Sequence, residues 1–180
     1  MGHGIIALFA LIVGAILGGV GQIYTSFREG SGLADALKAE IESLVILVEM
    51  RGYLTSLEGL TTLLEAGAHP DVPYLRVERS YFGIFEASRS KIGLLGAAAA
   101  PVVESYAFAN AFLEDMRTLA DFSEKGQIGN VAMKPGELEL RVRSAREVLK
   151  KALDRGKVAA EELKARSNQW FLRELLCLRI

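Results

Sequence analysis

Histidine occurs twice in this 180-residue chain, at His3 and His69, and cysteine once, at Cys177. Histidine-based metal centres and Ser/His/Asp or Cys/His nucleophilic systems therefore lack their parts. A di-iron helical bundle needs Glu-x-x-His pairs, and none occurs. A lone Cys cannot close an internal disulfide, so no cross-linked framework is implied, and Cys177 reads as a small hydrophobe in a Leu-rich helix. No Gly-rich phosphate loop, dinucleotide fingerprint or Cys-x-x-Cys is present. Basic and acidic residues nearly cancel, 21 against 22, so no excess of positive charge draws the chain to nucleic acid. Neither a catalytic residue nor a cofactor or metal ligand is assigned.

Charge is also missing from the first 27 residues, which contain no Asp, Glu, Lys or Arg. From Gly4 to Tyr24 the run is apolar apart from small residues, Gln22 being the one strongly polar side chain. At about 1.5 Å per residue this crosses a hydrocarbon core of roughly 30 Å once. No other stretch reads as a span. A cleaved signal peptide would carry a charged leader, a shorter apolar run of about 7–15 residues and a small-residue cleavage site, so a retained anchor is the better reading. Gly2 does not open a myristoylation motif, because Ile6 stands where Ser or Thr is needed. The anchor is assigned to residues 1–29 and a helical domain to 30–180. Arg28 and Lys38 on the domain side favour a cytoplasmic domain by the positive-inside rule. Within the anchor Ala10, Gly14 and Gly18 recur every fourth residue, beside Ala15 and Gly19, and form a small-residue groove suited to close helix pairing in lipid.

Beyond Gly30-Ser31-Gly32, read as a flexible break, Leu33 to about Ala66 has the apolar spacing of one long helix, with Gly52 and Gly59 marking either a bend or a close contact with a neighbour. A Gly/Pro turn over residues 66–73 follows, and His69 before Pro70 is a turn residue. A second helix is predicted from Pro73 to about Ile92, and a third from Ala97–Ala100 to about Lys125. Gly126 to Gly136 reads as a surface loop. In the last helix Val142, Leu149, Gly156, Leu163 and Trp170 fall seven apart, with Leu138, Ala145, Ala152 and Ala159 as a companion seam. So many Ala and Gly positions imply a neighbouring helix at close range. Arg143, Lys150, Lys157 and Lys164 repeat at the same interval among Glu147, Asp154 and Glu161, the pattern of a solvated helix face. Glu49, Glu78, Glu86 and Glu104 are likewise read as solvated.

Short loops between such helices predict an all-α fold: one N-terminal transmembrane helix, then an antiparallel up-down-up-down four-helix bundle with a long C-terminal helix. That helix, taken as about 44 residues or roughly 66 Å, outruns the first domain helix and returns toward the bilayer. Its overhang carries Trp170, Phe171, Arg173, Leu175 and Arg179, a composition suited to the membrane interface or to a partner. Tyr81, Phe85, Tyr106 and Phe112 supply aromatic bulk, read mainly as core and alternatively as the lining of an apolar pocket between helices.

The segments Tyr81-Phe82-Gly83-Ile84-Phe85-Glu86-Ala87, Lys91-Ile92-Gly93-Leu94-Leu95 and Val102-Val103-Glu104-Ser105-Tyr106 resemble a recurring stretch in small uncharacterised bacterial proteins that carry an N-terminal membrane helix ahead of a helical domain. The resemblance implies a bacterial inner-membrane setting and no catalytic residue. The expectation is a non-enzymatic accessory subunit whose partners are the bilayer and, through the anchor, another membrane protein or a second copy. A membrane-anchored sensory bundle holding a small apolar ligand is the alternative.

Overall fold

The protein was analysed as a computed structural model that describes residues 2–67, 79–125, 127–128, 131–132 and 136–168, with the side chains at 2–10, 12, 16, 79–80, 122–125, 127–128 and 131–132 outside that description. The described residues are almost entirely helical. Helix α1 spans Gly2–Met50, α2 Tyr53–Glu65, α3 Gly83–Ser88, α4 Ala99–Lys125 and α5 Glu137–Ser167, with 3₁₀ turns at Arg79–Phe82 and Arg89–Ala98. Between α4 and α5, where a loop was expected, Gln127–Ile128 and Val131–Ala132 pair as a minimal antiparallel ribbon, β1 and β2.

Helix α1 is unbroken for 49 residues, about 73 Å by its rise. The expected flexible break at Gly30-Ser31-Gly32 does not form. Gly30 is instead the point where α1 passes closest to its neighbours: a Cβ there would lie 2.8 Å from the Leu94 carbonyl oxygen and 3.3 Å from Nη2 of Arg166. The predicted Leu33–Ala66 helix is divided at Arg51–Gly52, where Gly52 takes φ 62° and its N–H bonds the Glu49 carbonyl. That left-handed conformation is open to glycine at little cost, so the chain bends there and restarts as α2.

The chain returns toward Gly30 through the Arg79–Ala98 limb, which is not the continuous second helix expected from Pro73 to Ile92. Only α3 is α-helical in its described part, and Gly96, at φ 59°, kinks it away from α4. Helix α4 then runs parallel to α1, and α5 runs antiparallel to both. Helix α5 ends at Ser167, capped through the Asn168 N–H, so it has 31 residues and not the 44 expected. Among the described residues the long columns are α1 with α2, α4, and α5, with the short Arg79–Ala98 limb beside them.

The heptad seam of α5 holds the bundle together. Val142, Ala145, Leu149, Gly156, Ala159 and Leu163 are all buried. Gly156 sits where α1, α4 and α5 meet, its Cβ position 3.4–3.5 Å from Ser105, Val45 and Ile41. One apolar cluster joins Leu37, Ile41, Phe82, Leu95, Val102 and Leu163 near Gly30, and a second joins Tyr53, Leu57, Phe112, Met116, Leu119 and Leu149 at the far end. Three of the four cations at sevens on α5 face the first column. Arg143 meets Glu65 at 2.5 Å, Lys150 meets Glu58 at 3.9 Å and Lys157 meets Glu49 at 3.4 Å. The acidic positions step by seven and then by nine, the two additional residues being the turn Arg51–Gly52. These pairs are half-exposed, so each contributes at most about 1 kcal/mol.

Among the described residues one helical stretch, Gly83–Asp121, is long and apolar enough to cross a membrane, with mean hydropathy 1.5 over its most apolar window. The expectation that no stretch besides the anchor would qualify is thus corrected. Its Ala/Gly/Leu-rich start raises the value, yet Leu95, Ala98, Val102 and Tyr106 are buried against α1 and α5, and we read it as a bundle element.

The two glycines of the supposed break should respond oppositely to Ala. Gly30→Ala forces a backbone clash and should cost about 1–3 kcal/mol. Gly32→Ala meets nothing within 4 Å and should gain up to about 1 kcal/mol from helix propensity. Chemical denaturation of the two variants followed by circular dichroism checks both.

Candidate functional site

The apolar half of α1 extends past the bundle. Gly2 to Glu29 is roughly 42 Å of helix, longer than a hydrocarbon core. Its described apolar side chains stand exposed, Leu11 at 71% and Leu17 at 66%, with Val13 and Val20 also open. Gly14, Ala15, Gly18 and Gly19 are exposed as well, and a Cβ at Gly14, Gly18 or Gly19 would meet nothing within 4 Å. Among the described residues nothing covers the Gly14, Gly18 and Gly19 part of the groove predicted from their spacing. The side chain of Ala10 lies outside the described residues, as do Trp170, Phe171, Arg173, Leu175 and Arg179. The chain does leave α5 at the same end of the bundle: Ser167 Oγ donates to Asp35 Oδ1 at 2.6 Å, and Ser31 Oγ donates to the Ser167 carbonyl at 3.4 Å.

Phe27, Gly30 and Ser31 on α1 pack at this end against Leu94 and Arg166. The Arg166 side chain is 93% buried, being 7% exposed. Its Nη2 donates to the Leu94 carbonyl at 3.3 Å, and its guanidinium carbon lies 5.2 Å from the centre of the Phe27 ring. Burying a guanidinium is costly, and this hydrogen bond and ring contact offset part of that cost. Sequence reasoning did not single it out, although the signal exists: Leu138, Ala145, Ala152, Ala159 and Arg166 continue one seam at sevens.

Only part of the aromatic set converges. Tyr106 and Phe112 line an apolar cavity of about 60 Å³ between α1, α4 and α5, with Phe82 beside them and Ser105 as its polar edge. Phe85 instead stacks on the far face of Tyr106, ring centres 3.9 Å apart, and Phe82 meets that ring edge-on at 5.5 Å. Tyr81 packs half-buried against the surrounding core. The acid at this cluster is Glu40, which the sequence reading did not single out, while the acids read as solvated lie elsewhere. Glu49, Glu86 and Glu104 form exposed ion pairs with Lys157, Arg89 and Arg155, and Glu78 lies outside the described residues. Glu40 accepts hydrogen bonds from the backbone N–H of Ile84 and Phe85 at 2.7 and 3.2 Å, and from the Tyr106 hydroxyl at 2.5 Å. Burial raises the Tyr106 pKa, and its bond to Glu40 raises it further, so the phenol remains a neutral donor. With each carboxylate oxygen engaged, the group acts as a bracket fastening the return limb to α1.

Among the described residues no group of three or more His, Cys, Asp and Glu is placed to hold a metal ion. No protein-family model, curated protein or solved structure matches the chain.

Removing the Tyr106 hydroxyl leaves a Glu40 lone pair unmatched, and Tyr106→Phe should lower unfolding free energy by about 1–3 kcal/mol in a denaturant titration. Asp115 gives a pH-dependent test. Desolvation raises its pKa and outweighs the opposing attraction of Arg141. A carboxyl with a raised folded-state pKa favours the folded state below its unfolded value, an advantage lost as pH climbs through the folded one. Asp115→Asn should therefore match the wild type near about pH 3 and gain on it above about pH 5, read from melting temperatures across that range.

Proposed function

We propose that the chain is a membrane-tethered helical interaction or accessory subunit without catalytic activity, single-pass through its N-terminal helix, in a bacterial inner membrane with its bundle on the cytoplasmic side. The observation that carries this is the exposed apolar half of α1, too long and too free of charge to be left in water and continuous with the helix that anchors the bundle core. The Gly14/Gly18 groove on that helix, open among the described residues, supplies a packing surface for a second copy or for another span. The aligned ends of α5 and the apolar rod support a tail that lies against the bilayer. The resemblance to bacterial proteins with one membrane helix points the same way.

A sensory bundle holding a small apolar ligand is the second reading, favoured by the cavity beside Tyr106 and Phe112. That cavity is about 60 Å³, whereas ligand sites usually enclose about 300–1,000 Å³. We therefore favour the tethered subunit.

Alkaline carbonate extraction of cell membranes tests the tether: the full chain should stay in the pellet, and release into the supernatant would refute the reading. For the groove, Gly14→Leu with Gly18→Leu should abolish a crosslinked dimer or co-purifying membrane partner while leaving the bundle's melting temperature unchanged. Persistence of that species would exclude these glycines as the packing surface.

A further inference from the structure

We propose that the cavity beside Tyr106 and Phe112 is a binding site for a small neutral alcohol, anchored at Ser105. The cavity measures about 60 Å³ between α1, α4 and α5. Its wall is apolar except at Ser105 and Tyr106, and the Tyr106 hydroxyl is already committed to Glu40. Ser105 is only 7% exposed, and its hydroxyl forms no hydrogen bond among the described residues. Thr61, Thr62 and Thr118 behave differently, each donating to the carbonyl four residues back along its helix. The Ser105 Oγ instead lies 3.4 Å from the Cβ position of Gly156, which with Ile41 and Val45 also lines the cavity.

Size and polarity select the ligand. At roughly 10–15 Å³ of enclosed space for each water-sized group, the cavity takes about four to six non-hydrogen atoms. Water is a poor occupant, because each molecule needs about two to four polar partners and this wall offers a single free hydroxyl. An empty cavity leaves that hydroxyl unmatched, at the desolvation cost of a buried polar group. A molecule with one hydroxyl on a chain of about three or four carbons meets both conditions: the Ser105 hydroxyl donates to its oxygen, and its hydrocarbon fills the rest. Entry is from the surface between α1 and α5. A groove there of about 390 Å³ shares Ile41, Val45 and Gly156 with the cavity, so the boundary includes a residue with no side chain. The companion seam of α5 loosens at the same level: Ala145 and Ala159 are fully buried, whereas Ala152 between them, on the cavity wall, is half-buried. This site lies in the bundle alone and does not rest on the tether.

The test uses the full chain purified in a neutral detergent with labelled Ile, Val and Leu methyl groups, taking 1-butanol, xenon and glycerol as probes and methyl NMR shifts as the readout. 1-Butanol should give saturable shifts confined to wall residues such as Ile41, Val45 and Leu149, with a dissociation constant on the order of 1 mM. Xenon should move the same methyls and glycerol none. Ser105→Ala should weaken 1-butanol about tenfold, leave the xenon response in place and raise the ligand-free melting temperature slightly, because it removes an unmatched buried hydroxyl from a helix. Ala152→Leu, which fills the space, should abolish both responses, and if that variant folds poorly Ser105→Ala still decides. No saturable response of the wild type to 1-butanol overturns the proposal. Equal 1-butanol affinity in Ser105→Ala overturns the alcohol assignment in favour of a purely apolar site, as does loss of xenon along with 1-butanol in that variant. Shifts spread over exposed methyls such as those of Ile46 and Leu63 overturn it in favour of solvent partitioning. The result is separable from carbonate extraction: a chain released by carbonate loses the tether and keeps the cavity, whereas a retained chain that ignores 1-butanol loses only the cavity site.

Discussion

The structure depends on α1 being a single helix. Its apolar half and the half that lines the bundle core share one backbone hydrogen-bond ladder, with no hinge where the composition changes. Gly30, the residue expected to loosen that junction, suits the geometry for the opposite reason: only a residue without a Cβ lets the Leu94 carbonyl and Arg166 come so near. The bundle is consequently built onto the rod. Leu37 and Ile41, a few turns on, are already central to the first apolar cluster.

Two devices fix the remaining elements to that helix. Small residues along α5 allow α1 and α4 to approach it together, so that Gly156 is shared by three helices. Glu40 then holds the return limb by bonding two backbone N–H groups and the Tyr106 hydroxyl. The first device is apolar and depends on close packing, the second is polar and depends on complete hydrogen bonding. Together they explain how a limb with little regular helix of its own can lie beside the long columns of the bundle.

The helical class, the α5 seam and the start of α4 were legible because they rest on periodicity, which a sequence displays directly. Val142, Leu149, Gly156 and Leu163 are buried as their spacing requires. What was not legible depends on tertiary context. Gly30 and Gly52 are the same residue type, yet one marks close approach and the other a bend, and only the neighbours distinguish them. Glu40 sits one residue from Ile41 on a stripe that looks like an ordinary helix surface, and its role emerges only when α3 arrives 44 residues later in sequence. Arg166 was readable in principle as the next member of the companion seam, but a charge at a core position is discounted until the Leu94 carbonyl and the Phe27 ring are seen against it.

The unbroken α1 also has a mechanical meaning. If the rod is seated in a bilayer as proposed, the bundle would be its lever arm, about 45 Å long by the rise of α5. A change of about 10° in tilt, within the range spanned by transmembrane helices, would sweep the far end near Arg143 and Glu65 through about 8 Å, with no joint at Gly30 to absorb it. Membrane thickness or a neighbouring span could in this way set where the distal surface sits relative to anything alongside it.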